Sequence, residues 1–185
     1  MDHFLTRHVD SRDVPVFLKR EITDQFPALK KGNLLHSEYA KKDIVGLFGK
    51  DLLKTTAQRT FNYCRSVIAW NEGNGKFRVE ELPYWIQLSS VNAVEFADVN
   101  GDRQPDLVVG GNRFIFPPQF GRLDGSYGQV LLNQGKGKFQ YIGNKESGLR
   151  IKGEVRGIRT IRLNGRDNLI FAVNSEKPVC YRPLK

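Results

Sequence analysis

Asp98, Asn100, Asp102 and Asp106 occupy positions 1, 3, 5 and 9 of the stretch Asp98-Val99-Asn100-Gly101-Asp102-Arg103-Gln104-Pro105-Asp106. Alternating oxygen side chains on a tightly wound loop turn inward together. Gly101 stands where such a turn needs a permissive backbone. Three carboxylates and one amide oxygen form the donor set of a hard cation with flexible coordination, above all Ca²⁺. Gln104 adds a backbone carbonyl, as position 7 of an EF-hand loop does. The stretch is not an EF-hand, because Val109 stands at position 12 and the flanks read as strands. The competing reading is a solvated acidic turn, since Asp, Asn, Gly and Pro are ordinary turn formers. Against it, three Asp this close repel one another unless a cation lies between them.

The elements that must hold this loop are strands. Val94 and Phe96 lead into it and Leu107-Val108-Val109 run out. From about Asn62 onward the chain alternates apolar strands with Gly-rich turns. Cys64 to Trp70, the turn Asn71 to Gly75, and Phe77 to Leu82 read as a hairpin, with Asn74-Gly75 as its signal. The phrase returns at Val130 to Phe139, with Asn133 lying 62 residues after Asn71. Asp106 to Asn112 has an echo in Asn168 to Asn174 at the same separation of 62. Two phrases in one register mark an internal repeat. Carried without a gap, the repeat puts Thr160, Arg162, Asn164 and Asn168 where the first copy has Asp98, Asn100, Asp102 and Asp106. The carboxylates are gone there, so one metal site is expected and not two.

Residues 1–60 differ from the rest and read as short amphipathic helices in a flanking or inserted segment. Asp13-Val14-Pro15 resembles a helix start, Phe17, Leu18 and Ile22 recur at helical spacing, and Phe26-Pro27 ends the run. Ser37 is the expected cap of a second helix. Ile44, Leu47 and Phe48 mark a third, ended by Gly49, and Leu52-Leu53 a fourth turn. Such helices need another apolar surface to be stable. His3, His8 and His36 lie in this segment with no second ligand at a usual spacing. Residues 61–185 are expected to hold two blade-like repeats, about 61–125 and 126–185.

The 185 residues carry a net charge of +9 with pI ≈ 9.7, which favours anionic partners. The basic residues are scattered, however, and read mainly as solvated surface. Arg150, Lys152, Arg156, Arg159, Arg162 and Arg166 are the exception, a candidate polyanion-binding face late in the chain. No apolar run is long enough to cross a membrane, and Met1 to Leu5 does not open a signal peptide. The chain is therefore expected either to stay inside the cell or to be a piece of a longer secreted protein. Cys64 and Cys180 fit no metal spacing and sit among apolar or aromatic neighbours, so two buried thiols are expected, with one disulfide as the alternative. The aromatic stretch Arg113 to Gly121 is either a buried strap or an exposed binding rim. There is no nucleophile elbow and no Ser/His/Asp set. The pair Glu80-Glu81 sits on a strand, where neighbours face opposite sides.

These phrases resemble the FG-GAP/VCBS repeat family of calcium-binding β-propeller proteins, and in particular the C-terminal part of bacterial VCBS/ASPIC-UnbV-type repeat proteins. The family loop D-x-[DN]-x-D-G-x-x-D is matched by Asp98, Asn100, Asp102 and Asp106. Arg103 replaces its usual glycine, while Gly101 matches the D-x-N-G-D variant. The family phrase Leu-Asn-x-Gly-x-Gly-x-Phe is present at Leu132 to Phe139, with a variant at Trp70 to Phe77. The resemblance covers about Ser66 to Asn174. It departs at Phe120-Gly121, where no Gly-Ala-Pro follows, and leaves residues 1–60 unexplained. It implies a mainly β fold of two antiparallel propeller-blade-like sheets, with a short-helix-rich N-terminal segment. It also implies Ca²⁺ held by Asp98, Asn100, Asp102, Gln104 and Asp106. The function implied is a non-enzymatic module for protein or glycan binding, extracellular, periplasmic or at the cell surface. Membrane insertion and nucleic acid are not expected. A closed propeller takes roughly four to eight blades, so the remaining blades of a parent protein or a homodimer partner are expected neighbours. The alternatives are a polyanion-binding basic module and, behind it, a propeller-based hydrolase or lyase fragment.

Overall fold

The computed structural model describes residues 4–183, a mainly β chain that divides into two units between Asn62 and Tyr63. His3 therefore lies outside the described residues.

The N-terminal unit opens with an antiparallel hairpin of β1 (Thr6–Val9) and β2 (Arg12–Pro15), paired from Thr6↔Pro15 to Val9↔Arg12. Asp10 and Ser11 turn it, with φ of 46° and 61°, the positive pair that a two-residue type I′ turn requires. Asp13 to Pro15 are thus strand residues and not the helix start their composition resembles. Pairing with β1 has overridden the local signal. The first helix, α1 (Lys19–Gln25), begins after Leu18, whose backbone N–H donates to the Glu21 carboxylate at 2.7 Å. It stops at Phe26-Pro27, as expected. In α2 (His36–Ala40), Ser37 lies inside the first turn and Leu35 is the cap position. Asp43 caps α3 (Ile44–Phe48) by accepting the Gly46 N–H at 2.7 Å; Gly49, at φ 79°, ends that helix and α4 (Lys50–Thr55) follows. The apolar surface these short helices need is a cluster of rings. Phe4 meets Phe17, Phe26 and Phe48, and Phe26 meets Phe48, at centroid distances of 5.0–6.3 Å, beside the buried Ile22 and Leu47.

The C-terminal unit holds three antiparallel sheets where two were expected. They are the hairpin β3 (Val67–Gly73) and β4 (Lys76–Glu81), then the meander β5 (Val91–Ala97), β6 (Asp106–Gly111), β7 (Gln129–Asn133) and β8 (Phe139–Ile142). After the short helix α5 (Asn144–Ser147) comes the sheet of β9 (Val155–Leu163), β10 (Arg166–Val173) and β11 (Val179–Tyr181). The expected break near residue 125 falls between β6 and β7, which pair through Leu107↔Leu131. Each 62-residue period spans the last two strands of one sheet and the first two of the next. The repeat itself is structural. Trp70↔Arg78 and Asn71↔Phe77 in β3–β4 become Leu132↔Gln140 and Asn133↔Phe139 in β7–β8, every residue shifted by 62. Among the described residues no barrel or propeller ring closes.

The central strand of the unit is β6, buried along its whole length. Val108 packs with Ala93 and Val130 against Val155, Ile158, Leu169 and Phe171. On the opposite face Leu107, Val109 and Leu131 pack with Leu82 and Ile86. A strand covered on both faces reads as a continuous apolar run, which is what Leu107-Val108-Val109 is.

Candidate functional site

The acidic loop joins β5 to β6 and folds around its own side chains. Asp98 Oδ1 accepts the Gly101 N–H at 2.6 Å and its Oδ2 the Arg103 N–H at 3.1 Å. Asn100 Oδ1 accepts the Asp102 N–H at 3.0 Å, and its Nδ2 donates to Asp102 Oδ2 at 2.9 Å. Asp102 Oδ1 accepts the Gln104 N–H at 2.7 Å. Gly101 and Arg103 take φ of 85° and 69°, as the tight winding demands. Asn100, Asp102 and Gln104 are exposed and Asp98 is half-buried.

Asp106 is placed differently. Its side chain is fully buried, with Oδ2 accepting the Val99 N–H at 2.9 Å and Oδ1 the Asn133 N–H at 2.8 Å. It ties the loop to the end of β7, and Asn133 Nδ2 returns a bond to the Pro105 carbonyl at 3.1 Å. Among the described residues, no three His, Cys, Asp or Glu side chains gather as a metal-binding group. The Asp98 and Asp102 carboxylates are turned to backbone N–H groups of their own turn. Those bonds leave further lone pairs on the carboxylate oxygens, so the donor chemistry of Asp98, Asn100 and Asp102 fits a hard, oxygen-seeking cation.

The second copy of the loop is shorter. Ala97 pairs with Asp106, which leaves residues 98–105 unpaired; its counterpart Asn168 pairs with Ile161 and the ladder runs on through Asp167↔Arg162 to Arg166↔Leu163, which leaves only Asn164 and Gly165 outside it. The separation of 62 on β10 therefore becomes 64 on β9. Thr160 corresponds to Phe96 and not to Asp98. A tight turn at Asn164-Gly165, at φ 50° and 75°, replaces the acidic loop. Asn168 keeps the buried position of Asp106 without its charge.

Beyond the loop, two buried polar centres fix the excursion between β6 and β7. Asn112, at φ 80°, accepts the Ser126 N–H at 2.8 Å and the Ser89 hydroxyl at 2.9 Å through Oδ1, and donates to the Ser126 and Gly153 carbonyls at 2.7 and 3.1 Å. The Glu154 carboxylate, also buried, accepts the Phe114 N–H at 2.7 Å, the Asn174 amide at 2.8 Å and Arg156 at 3.1 Å. The Phe114 N–H above all, then Asn174 and Arg156, hold its pKa below the ordinary carboxylate value, against the opposing effect of burial. From this base the stretch Arg113 to Leu123 projects outward, closed by Arg113 N–H to the Leu123 carbonyl at 2.8 Å. Ile115 is 70% exposed, and Phe116 and Phe120 are exposed too. The stretch is a rim and not a buried strap. Arg113 lies over the Phe116 ring and Arg122 over Phe114, at 5.8 and 4.9 Å. A second exposed aromatic group escaped the sequence reading: Tyr84 and Trp85 meet edge-on, and Trp85 stacks on Tyr141 at 6.5 Å. Tyr141 lies far along the chain from the adjacent Tyr84-Trp85, with no shared motif to announce the group.

Three of the six late basic residues are paired with acids. Arg156 pairs with Glu154, Arg159 with Glu95 and Arg162 with Asp167. Cys64 and Cys180 are both free and exposed, which corrects the expectation of buried thiols. Cys64 precedes β3, whose outer edge is unpaired, and Cys180 lies on the end strand β11. Glu80 receives Trp70 Nε1 and Arg78, while Glu81 receives the Tyr63 hydroxyl, so neither carboxylate is poised with the other as an acid–base pair. In the N-terminal unit His8 pairs with Asp13 at 2.9 Å. No helix among the described residues is long and apolar enough to cross a membrane. Comparison of the chain with protein-family models, with curated proteins and with solved structures returns no match.

Proposed function

We propose that the Tyr63–Lys185 unit is a calcium-stabilised, non-enzymatic binding module built from propeller-type blades, of the kind the FG-GAP/VCBS resemblance implies. The observation that carries this reading is the shared register of β3–β4 and β7–β8 at a separation of 62 residues. It supports an array of like sheets in which the Asp98–Asp106 loop is the specialised joint. Asp98, Asn100 and Asp102 supply side-chain oxygens to Ca²⁺, Gln104 adds its carbonyl, and Asp106 holds the loop against β7 from behind. The ion neutralises the clustered carboxylates and stiffens the turn. Ligand contact then falls to exposed surface such as the Arg113–Leu123 rim, which suits a protein or glycan partner met at the cell surface, in the periplasm or outside the cell.

Thermal melts in EDTA, millimolar CaCl₂ and millimolar MgCl₂ test this. The reading expects a rise in Tm specific to calcium, lost in Asp102→Ala. Superimposable melts in all three conditions would leave the loop as a self-bonded turn and remove calcium from the account.

A further inference from the structure

On β5, Val94 and Phe96 are 45% and 60% exposed, although Leu107 and Val109 beside them on the same sheet face are buried. The repeat explains the contrast at Val94, whereas Thr160, the counterpart of Phe96, is itself exposed. The residues that correspond to Val94, Leu107 and Val109 one sheet later are Ile158, Leu169 and Phe171, none more than 3% exposed. They are covered because β5 and β6 lie on them. Among the described residues of this unit, no sheet lies in the same relation to β5. In its place is a cavity of about 660 Å³ beside the β3–β4 hairpin, walled by Trp70, Val94, Phe96, Leu107 and Phe139.

The opposite end of the unit presents the complementary gap. Strand alternation turns Leu169 and Phe171 inward, which leaves Ile170 and Ala172 on the outer face of the β9–β11 sheet, with Gly157 opposite Ala172 and Cys180 opposite Ile170. Their counterparts on the β5–β8 sheet are Val108, Gly110, Ala93 and Val130, and those are covered by β9 and β10. Here the face stands uncovered and small: Ala172 and Cys180 are exposed, and Ile170 and Gly157 half-buried.

We propose that these two faces belong together: the outer face of the β9–β11 sheet of one copy seats on Val94 and Phe96 of a second copy. The contact continues between chains the interface that already joins β5–β6 to β9–β10 within one chain. It joins unlike surfaces, so it is head-to-tail, and copies add beyond two unless the rotation closes a ring. The net charge of +9 opposes it, so salt strengthens association by screening. The inference is independent of the cation loop, whose melts are read on a single chain.

Sedimentation velocity of the full chain over a concentration series at high salt tests the pairing. The sedimentation coefficient is expected to rise with concentration in the wild type and to stay at the monomer value in Phe96→Asp and in Ala172→Asp. Both substitutions fall on exposed residues, and circular dichroism checks that each variant remains folded. An equimolar mixture of the two variants is expected to form dimers, since one intact groove and one intact outer face remain. A wild type that stays monomeric throughout, association that survives either substitution, or a mixture that stays monomeric would each overturn the proposal.

Discussion

The buried Asp106 carboxylate accepts the backbone N–H of Asn133, 27 residues further along the chain, at 2.8 Å. Its other oxygen takes the Val99 N–H. One side chain thus locks the acidic loop to the end of β7. The loop's remaining acids, by contrast, satisfy only N–H groups of their own turn. The two kinds of acid separate in a stability measurement.

Asp106→Ala leaves two partly buried N–H groups without acceptors. At roughly 1–3 kcal/mol for each buried group left unsatisfied, it is expected to cost about 2–5 kcal/mol in urea unfolding. Asp106→Asn keeps one acceptor and should fall between Asp106→Ala and the wild type. Asp102→Ala, measured in EDTA, is expected to cost under about 1 kcal/mol, the range of a solvent-facing turn bond. Equal costs for Asp102→Ala and Asp106→Ala would remove the distinction between brace and turn.

Much of this arrangement is legible in the sequence, and the parts that are not have physical reasons. The hairpins at Asn71 and Asn133 announce themselves because Gly-rich turns and flanking apolar strands act within a few residues. The hairpin at Asp10-Ser11 does not, because neither residue advertises the positive φ that pairing imposes on it. The loop's acids are visible as a donor set. That Asp106 turns inward is not, since its partner Asn133 comes from a strand fixed only by the tertiary fold. An ungapped alignment also hid the two residues lost between β9 and β10, because the apolar alternation is nearly the same in either register.

Glu154 gives a pH signature with a definite sign. Its pKa in the folded chain lies below the ordinary value of 4.5, chiefly through the Phe114 N–H bond. A carboxyl with a depressed folded pKa contributes stability that is fully present above the unfolded pKa and is lost as pH falls through the folded one. Wild type and Glu154→Gln should therefore differ by a constant amount above about pH 5, and the gap should shrink below it, as unfolding free energies measured across pH 3–7 will report. A gap that widens toward low pH would contradict the assignment.

Gly111 and Gly110 rank a pair of substitutions. A Cβ at Gly111 would run into the Ser90 backbone carbonyl oxygen, whereas one at Gly110 would meet Val155 side-chain carbons at 2.6 Å and beyond. Side chains shift more readily than backbone. Gly110→Ala is expected to cost about 1–2 kcal/mol, and Gly111→Ala about 3 kcal/mol or more, at the upper end of what overpacking costs. Urea midpoints of the two variants, compared at equal m-values, test the order.

Asn112 carries the largest expected loss. It holds a left-handed backbone at φ 80° while its amide bonds Ser89, Ser126 and Gly153 in a site closed to water. Asn112→Ala removes every one of these bonds and puts a less tolerant residue in that conformation. With about 1–3 kcal/mol for each buried group left unsatisfied and about 1–2 kcal/mol for the backbone, a loss of about 4–6 kcal/mol is expected. Asn112→Gly removes the same bonds but relaxes the backbone, so it should be less damaging by about 1 kcal/mol. Because folded domains have only about 5–15 kcal/mol to lose, the Ala variant should be partly unfolded at ambient temperature by near-UV circular dichroism. Both variants should also loosen the root of the Arg113–Leu123 rim, read as faster hydrogen exchange at the Arg113 and Leu123 amides, which bond each other's carbonyls across it. Unchanged exchange at those two amides in a folded Asn112→Gly variant would separate the rim from the hub beneath it.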